Sequence, residues 1–288
     1  MPKIIKLAKC AGFCYGVKRA VETVKNLKLE NSDKNICVLG ELIHNSQVIE
    51  ELAKLGITSL KELPQHGDGI CVIRSHGESP EVFEQIKNAG FELFDLTCPD
   101  VKKVQQKAIE LAQNGYYVVI VGKSEHPEVV AIKANALQFS DKVVVADSKF
   151  ALEPYINELK THKKIGIVVQ TTQMISTLNE IVNFLTPLAK ELLIANTICG
   201  STSARQTEAK TLAKESDLMV VAGSKKSANT THLAEILSEI TKTIHIETAD
   251  ELNQYKDIIQ NSEKISVTAG ASTPPNIIED VMNKLQEF

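Results

Sequence analysis

Short apolar runs alternate with amphipathic stretches along almost the whole chain. Residues 4–8, 36–40, 70–73, 91–95, 116–121, 143–145, 165–169, 192–194, 218–221 and 265–267 are short and rich in β-branched and apolar side chains, as buried strands are. Between them apolar residues recur at helical spacing. Examples are Val17, Ala20, Val21, Val24 and Leu27; Val48, Leu52 and Leu55; Val101, Val104, Ala108 and Leu111; and Ile277, Ile278, Val281, Met282 and Leu285. Ser79 followed by Pro80 starts another helix and Gly90 closes it. About a dozen strands alternating with helices predict an α/β fold with mainly parallel pairing. One open sheet of that size is uncommon beyond about ten strands, so three smaller sheets are expected.

Three cysteines punctuate this pattern. Cys14, Cys98 and Cys199 each stand where a predicted strand gives way to a helix, and they divide the chain into near-thirds. Lobes of residues 1–97, 98–198 and 199–288 are therefore expected, pseudo-repeated around a central site. At a helix N-terminus the unpaired N–H groups and the dipole favour a thiolate or a cluster's bridging sulfides. Three soft ligands on matching segments suit an iron–sulfur cluster or a metal with one position open. Three separately buried thiols are the alternative, since free cysteine packs as a small hydrophobe. Cys37 and Cys71 lie inside apolar strands and read as core. Cys10 makes a CxxxC spacing with Cys14, and a four-thiolate zinc site would need Cys10, Cys37 or Cys71 as its fourth ligand.

Composition narrows the classes. With 43% hydrophobic and 24% charged residues in 288, the chain has material for real cores and none of the signature of disorder. A net charge of −4 supplies no basic field for nucleic acid or an anionic membrane. Neither a secretion signal nor a membrane-length apolar run is read, so a cytoplasmic protein with reduced thiols is expected. Arginine occurs only at positions 19, 74 and 205, which leaves phosphate binding to Lys, His, hydroxyl, amide and backbone donors. Neither a GxxxxGK[ST] loop nor a GxGxxG turn occurs, which argues against ATP and NAD(P) as cofactors.

Polar tips follow the strands, two in each third, and the carboxyl ends of parallel strands are where open α/β sheets bind ligands. His44, His76 and His126 occupy such tips and can donate to an anion or ligate a metal. His66, His162, His232 and His245 read as solvated surface residues. Glu128, after His126 and Pro127, is either a helix-start acid favoured by the dipole or a buried proton donor with a raised pKa.

The segments GFCYGVKRA, ELIHN, SHG, TCP, HPE, QTT, GSKKSAN and TAGAST occur in this order over essentially the whole chain. In this the sequence resembles the 4-hydroxy-3-methylbut-2-enyl diphosphate reductases, the IspH/LytB family. The resemblance implies a three-lobed α/β fold around an oxygen-sensitive 4Fe-4S cluster held by Cys14, Cys98 and Cys199, with an open apical iron. It implies reductive loss of an allylic hydroxyl as the last step of the non-mevalonate isoprenoid route, giving isopentenyl and dimethylallyl diphosphates. It assigns diphosphate binding to His44, His76, His126, Ser227, Asn229 and Ser272, and hydroxyl and proton handling to Glu128 and Thr171. It also implies an external electron donor such as ferredoxin or flavodoxin. Ala228 departs from the pattern where many relatives have a second serine, leaving a backbone N–H but no hydroxyl. Cys10 lies outside the ligand set. A sensor using the same thiols without turnover, or a cluster-free module that binds a small anion, are the competing expectations.

Overall fold

The computed structural model describes residues 3–288. Its strands are β1 (Ile4–Leu7), β2 (Ile36–Leu39), β3 (Ile57–Leu60), β4 (Ile70–Ile73), β5 (Glu92–Asp95), β6 (Tyr117–Val121), β7 (Val143–Ala146), β8 (Lys164–Val169), β9 (Glu191–Ile194), β10 (Leu218–Ala222), β11 (Lys242–Ile246) and β12 (Lys264–Ala269). They form three four-stranded sheets, ordered β3-β2-β4-β5, β7-β6-β8-β9 and β1-β12-β10-β11. Every pairing is parallel.

The three sheets share one plan. In the first two, the leading strand lies second, its successor takes one edge, and the third and fourth strands follow on the other side. Read from β11, the remaining sheet runs β11-β10-β12-β1, so β1 fills the fourth place. Cys14, Cys98 and Cys199 each come after the fourth strand of a sheet: β1, β5 and β9 respectively.

This ordering changes the expected division at the N-terminus. The junctions 97/98 and 198/199 do fall after β5 and β9. But β1 pairs with β12, Ile5 opposite Ile265 and Leu7 opposite Val267, and so leaves the first third for the C-terminal sheet. The chain forms two compact units. The first comprises the described residues up to Lys25, Ile43–Leu55 and Gly200–Phe288, and holds the sheet containing β1. The second comprises Asn26–Leu42 and Gly56–Cys199 and holds the other two sheets.

Side chains alternate across each strand, so a strand buried on both faces needs an unbroken apolar run. In the second unit, Tyr117, Val119, Val121, Ile165, Ile167 and Val169 pack with Leu178, Ile181 and Leu185. On the opposite face Val118, Ile120 and Val168 pack with Val104, Ala108, Leu111 and Ile132. Cys37 and Cys71, in register on β2 and β4, are buried beside Ile73 and Ile86. In the first unit Val220, Ile265 and Val267 meet Val281 and Leu285, while Met219 and Val221 meet Ala209, Leu233 and Leu237. No helix among the described residues is long and apolar enough to cross a membrane.

Candidate active site

Glu128 belongs to the helix Pro127–Leu137, which follows β6 in the second unit. Proline suits that first turn, and His126 caps it by accepting the Glu128 N–H at Nδ1, 3.2 Å away. With Nδ1 an acceptor, a neutral His126 ring carries its proton on Nε2. The His76 ring lies edge-on to it at 5.4 Å between centroids.

The Glu128 side chain is 1% exposed. One carboxyl oxygen accepts the Thr171 backbone N–H at 2.6 Å and the other its hydroxyl at 2.8 Å. Burial raises the carboxyl pKa and the two Thr171 bonds lower it; burial wins, and the value is pushed up to about 7. A carboxylic acid of that kind keeps a transferable proton near neutrality.

Thr171 also carries the link to the thiols. Its carbonyl accepts the Cys199 backbone N–H at 3.0 Å. The Cys199 thiol donates to Asp100 Oδ2, also at 3.0 Å, and Asp100 lies two residues beyond Cys98 in the first turn of the helix Pro99–Gln113. Cys98 is the N-cap residue of that helix and its own N–H is taken by Ser75. The second unit therefore gathers Cys98, Cys199, Thr171, Glu128, His126 and His76 on linked strand ends. Asp100 escapes a reading of the sequence, because a first-turn aspartate has the ordinary explanation of a dipole partner.

In the first unit Cys14 immediately precedes the helix Tyr15–Glu30, and its sulfur accepts the Val17 N–H at 3.4 Å. Its own N–H binds the Ala271 carbonyl, beside Ser272, whose hydroxyl donates to the His44 carbonyl. Ser227 is the N-cap residue of the helix Ala228–Ser238, yet its hydroxyl makes no capping bond. Ala228 presents its methyl and backbone N–H in the first turn. Asn229 is 5% exposed, and both ends of its amide lack a hydrogen-bond partner. A buried amide left unpaired is costly, and ligand oxygens at a helix N-terminus are the natural remedy.

These observations fit a bound anion and an inorganic cofactor. Cys14, Cys98 and Cys199 form no disulfide and are all partly accessible, whereas Cys37 and Cys71 are enclosed. Two histidines expected to be solvated are not. His232 is 2% exposed, and His245 is partly buried with Nε2 against the Gly223 carbonyl. Burial is the largest cause holding the His245 pKa below its ordinary value, so a neutral ring buttresses the tip that leads to Ser227.

The protein of Geobacter sulfurreducens named 4-hydroxy-3-methylbut-2-enyl diphosphate reductase is 41% identical over 285 residues, spanning 99% of this chain and 97% of that one. A solved structure of (E)-4-hydroxy-3-methyl-but-2-enyl diphosphate reductase, called the terminal enzyme of the non-mevalonate pathway, matches with a TM-score of 0.73 at 38% identity, covering 99% of this chain and 100% of that chain. The structure of the E-1-hydroxy-2-methyl-but-2-enyl-4-diphosphate reductase from Plasmodium falciparum matches with a TM-score of 0.87 at 28% identity, covering 98% and 88%. The LytB protein family matches residues 5–286, and on that extent and identity the chain belongs to this family.

Proposed function

We propose that the protein reduces 4-hydroxy-3-methylbut-2-enyl diphosphate to isopentenyl and dimethylallyl diphosphates. The observation that carries this reading is Glu128, a buried acid with a pKa near 7, bonded to a threonine whose carbonyl in turn holds the Cys199 amide. Family membership and the relatives' names support the same substrate.

Cys14, Cys98 and Cys199 are the residues that hold a 4Fe-4S cluster in this reading. When bound, such a cluster supplies electron transfer at low potential and Lewis acidity at an iron without a protein ligand. The remaining work falls to the chain. His44, His76, His126, Ser227, Asn229 and Ser272, with the Ala228 backbone N–H, are the groups assigned to the diphosphate in this reading. Many aimed donors replace water there without a guanidinium. Glu128 holds a proton and delivers it, directly or through the Thr171 hydroxyl, to the departing oxygen. The balance is two electrons and two protons taken up, one C–O bond broken, one C–H bond formed and one water released. Family membership supports a separate low-potential electron donor, such as a ferredoxin or flavodoxin, in the cytoplasm.

A buried proton donor distinguishes this enzyme from a sensor built on the same thiols, which would need none. The test is anaerobic reconstitution with iron and sulfide, followed by the hydroxylated C5 diphosphate and a reduced low-potential donor. The two C5 diphosphates are expected as products. A zinc-loaded protein, or a cluster-loaded protein that turns nothing over, would overturn the reading.

A further inference from the structure

The segment between β1 and Cys14 is held on two flanks within the first unit. On one side it follows β12 and its tip: the N–H groups of Ala8, Gly12 and Cys14 bind the carbonyls of Val267, Ala269 and Ala271. On the other side stands the helix Gly200–Glu215, with Arg205 and Glu208 three residues apart and hence on one face. The two Glu208 carboxylate oxygens accept consecutive backbone N–H groups, Lys9 at 2.8 Å and Cys10 at 2.7 Å. Arg205, 3% exposed, donates through Nη1 to the Cys10 carbonyl and to the Ala269 carbonyl, the latter at 2.8 Å. Cys10 is thus gripped at its N–H by an anion and at its C=O by a cation, and the cation is shared with the end of β12.

Ion-assisted bonds of this kind are shorter and stronger than neutral ones, while burying an arginine is expensive. One of only three arginines in the sequence is committed to a backbone segment, although several neutral side chains could bridge two carbonyls. Glu208 stays ionised: burial raises its pKa, but the N–H groups of Cys10 and Lys9 lower it further. The Cys10 thiol, by contrast, is held above its ordinary value by burial and then by Glu208. Gly12 adds a further constraint. Its φ of +87° favours glycine, and a Cβ there would stand 2.7 Å from Ile278 Cδ1.

We propose that Arg205 and Glu208 are positioning residues that clamp the Cys10 peptide and so fix the approach to Cys14, presenting that thiol to its cofactor from one preset place. The proposal rests on the reading of Cys14 as a cluster ligand. Outer partners that orient a ligand commonly change metal affinity by about 10–100-fold when altered.

The experiment uses the full chain with Glu208→Gln, Arg205→Met and Arg205→Lys. Amide hydrogen exchange over residues 9–14 is followed in the metal-free protein. Loss of iron to a chelator is followed after anaerobic reconstitution with iron and sulfide. In Glu208→Gln and Arg205→Met, exchange at Lys9 and Cys10 is expected to quicken by about tenfold while β6 is unchanged. Iron loss should quicken by about tenfold or more, with Arg205→Lys intermediate. Unchanged exchange would show that no clamp exists. Faster exchange with iron lost at the wild-type rate would reduce the pair to a structural tie. A wild-type chain that takes up no cluster would remove the ligand reading itself and the positioning role with it, leaving the exchange data to report on the loop alone. Glu208→Gln, nearly isosteric, carries the test if Arg205→Met does not fold.

Discussion

Glu128 shows how far a single residue's chemistry depends on its enclosure. In its proposed role as the acid of the reaction it must be protonated, so turnover is expected to fall as pH rises through about 7. Glu128→Gln should lower turnover by about 10²–10⁴-fold with the cluster retained, measured by steady-state kinetics and the visible spectrum. The Thr171 hydroxyl steadies the ionised form, so Thr171→Val leaves burial less opposed and should move the alkaline limb of the pH profile upward. The same carboxyl links stability to pH. Unfolded, it loses its proton near 4.5; folded, it keeps it to about 7, so stability falls as pH rises between those values, by about 3 kcal/mol in all. Glu128→Gln has no such loss, and its melting temperature relative to the wild type should climb from pH 5 to pH 8. Asn229 predicts a comparable exchange of stability for function. Its amide is enclosed and unpaired, so Asn229→Leu should stabilise the ligand-free protein by about 1–2 kcal/mol while raising KM, which calorimetry and kinetics would reveal. Sequence alone exposed Glu128 as a carboxyl at a helix start; its burial comes from residues around it in space and was legible only as one of two options. Asp100, His232 and His245 had no distinguishing local signal at all.

Among the elements, strands with two covered faces were legible because each residue in the run must be apolar; β6, β8 and β10 are of this kind. β3 and β11 were not, and both are edges. Ile57-Thr58-Ser59-Leu60 and Lys242-Thr243-Ile244-His245-Ile246 interleave polar residues and lack the continuous apolar run that identifies a central strand. The tips of β10 and β12 show a further constraint. A Cβ on Gly270 would meet Thr230 Oγ1 at 1.8 Å, and one on Gly223 would meet Thr273 Oγ1 at 2.3 Å. Thr273 in turn donates to the Ala222 carbonyl. These tips carry Ser227, Asn229 and Ser272, so Gly270→Ala should cost about 1–3 kcal/mol in thermal unfolding and disturb the proposed diphosphate binding. Adding Thr230→Ala to it should recover part of the loss.

At the scale of the molecule, the repeated strand order was legible only in part. The number of strands predicted three smaller sheets, and three are found. That β1 completes the sheet of β10, β11 and β12 was not legible, since nothing near residue 5 encodes a partner at residue 265. Stripping residues 3–7 should expose the β12 edge, lower the melting temperature and promote self-association visible by size-exclusion chromatography.

The pairing of β1 with β12 also sets an order of events during synthesis. A strand translated early must wait, without its neighbour, until β12 has left the ribosome, and so distant a contact closes slowly. The sheets holding β5 and β9 can be complete by then, so the segment bearing Cys14 is the last of the three cysteine approaches to become rigid. A nascent chain interrupted before residue 264 therefore lacks the partner of β1, and on the proposed reading of Cys14 as a cluster ligand its thiol gains a fixed approach only after β12 has been made.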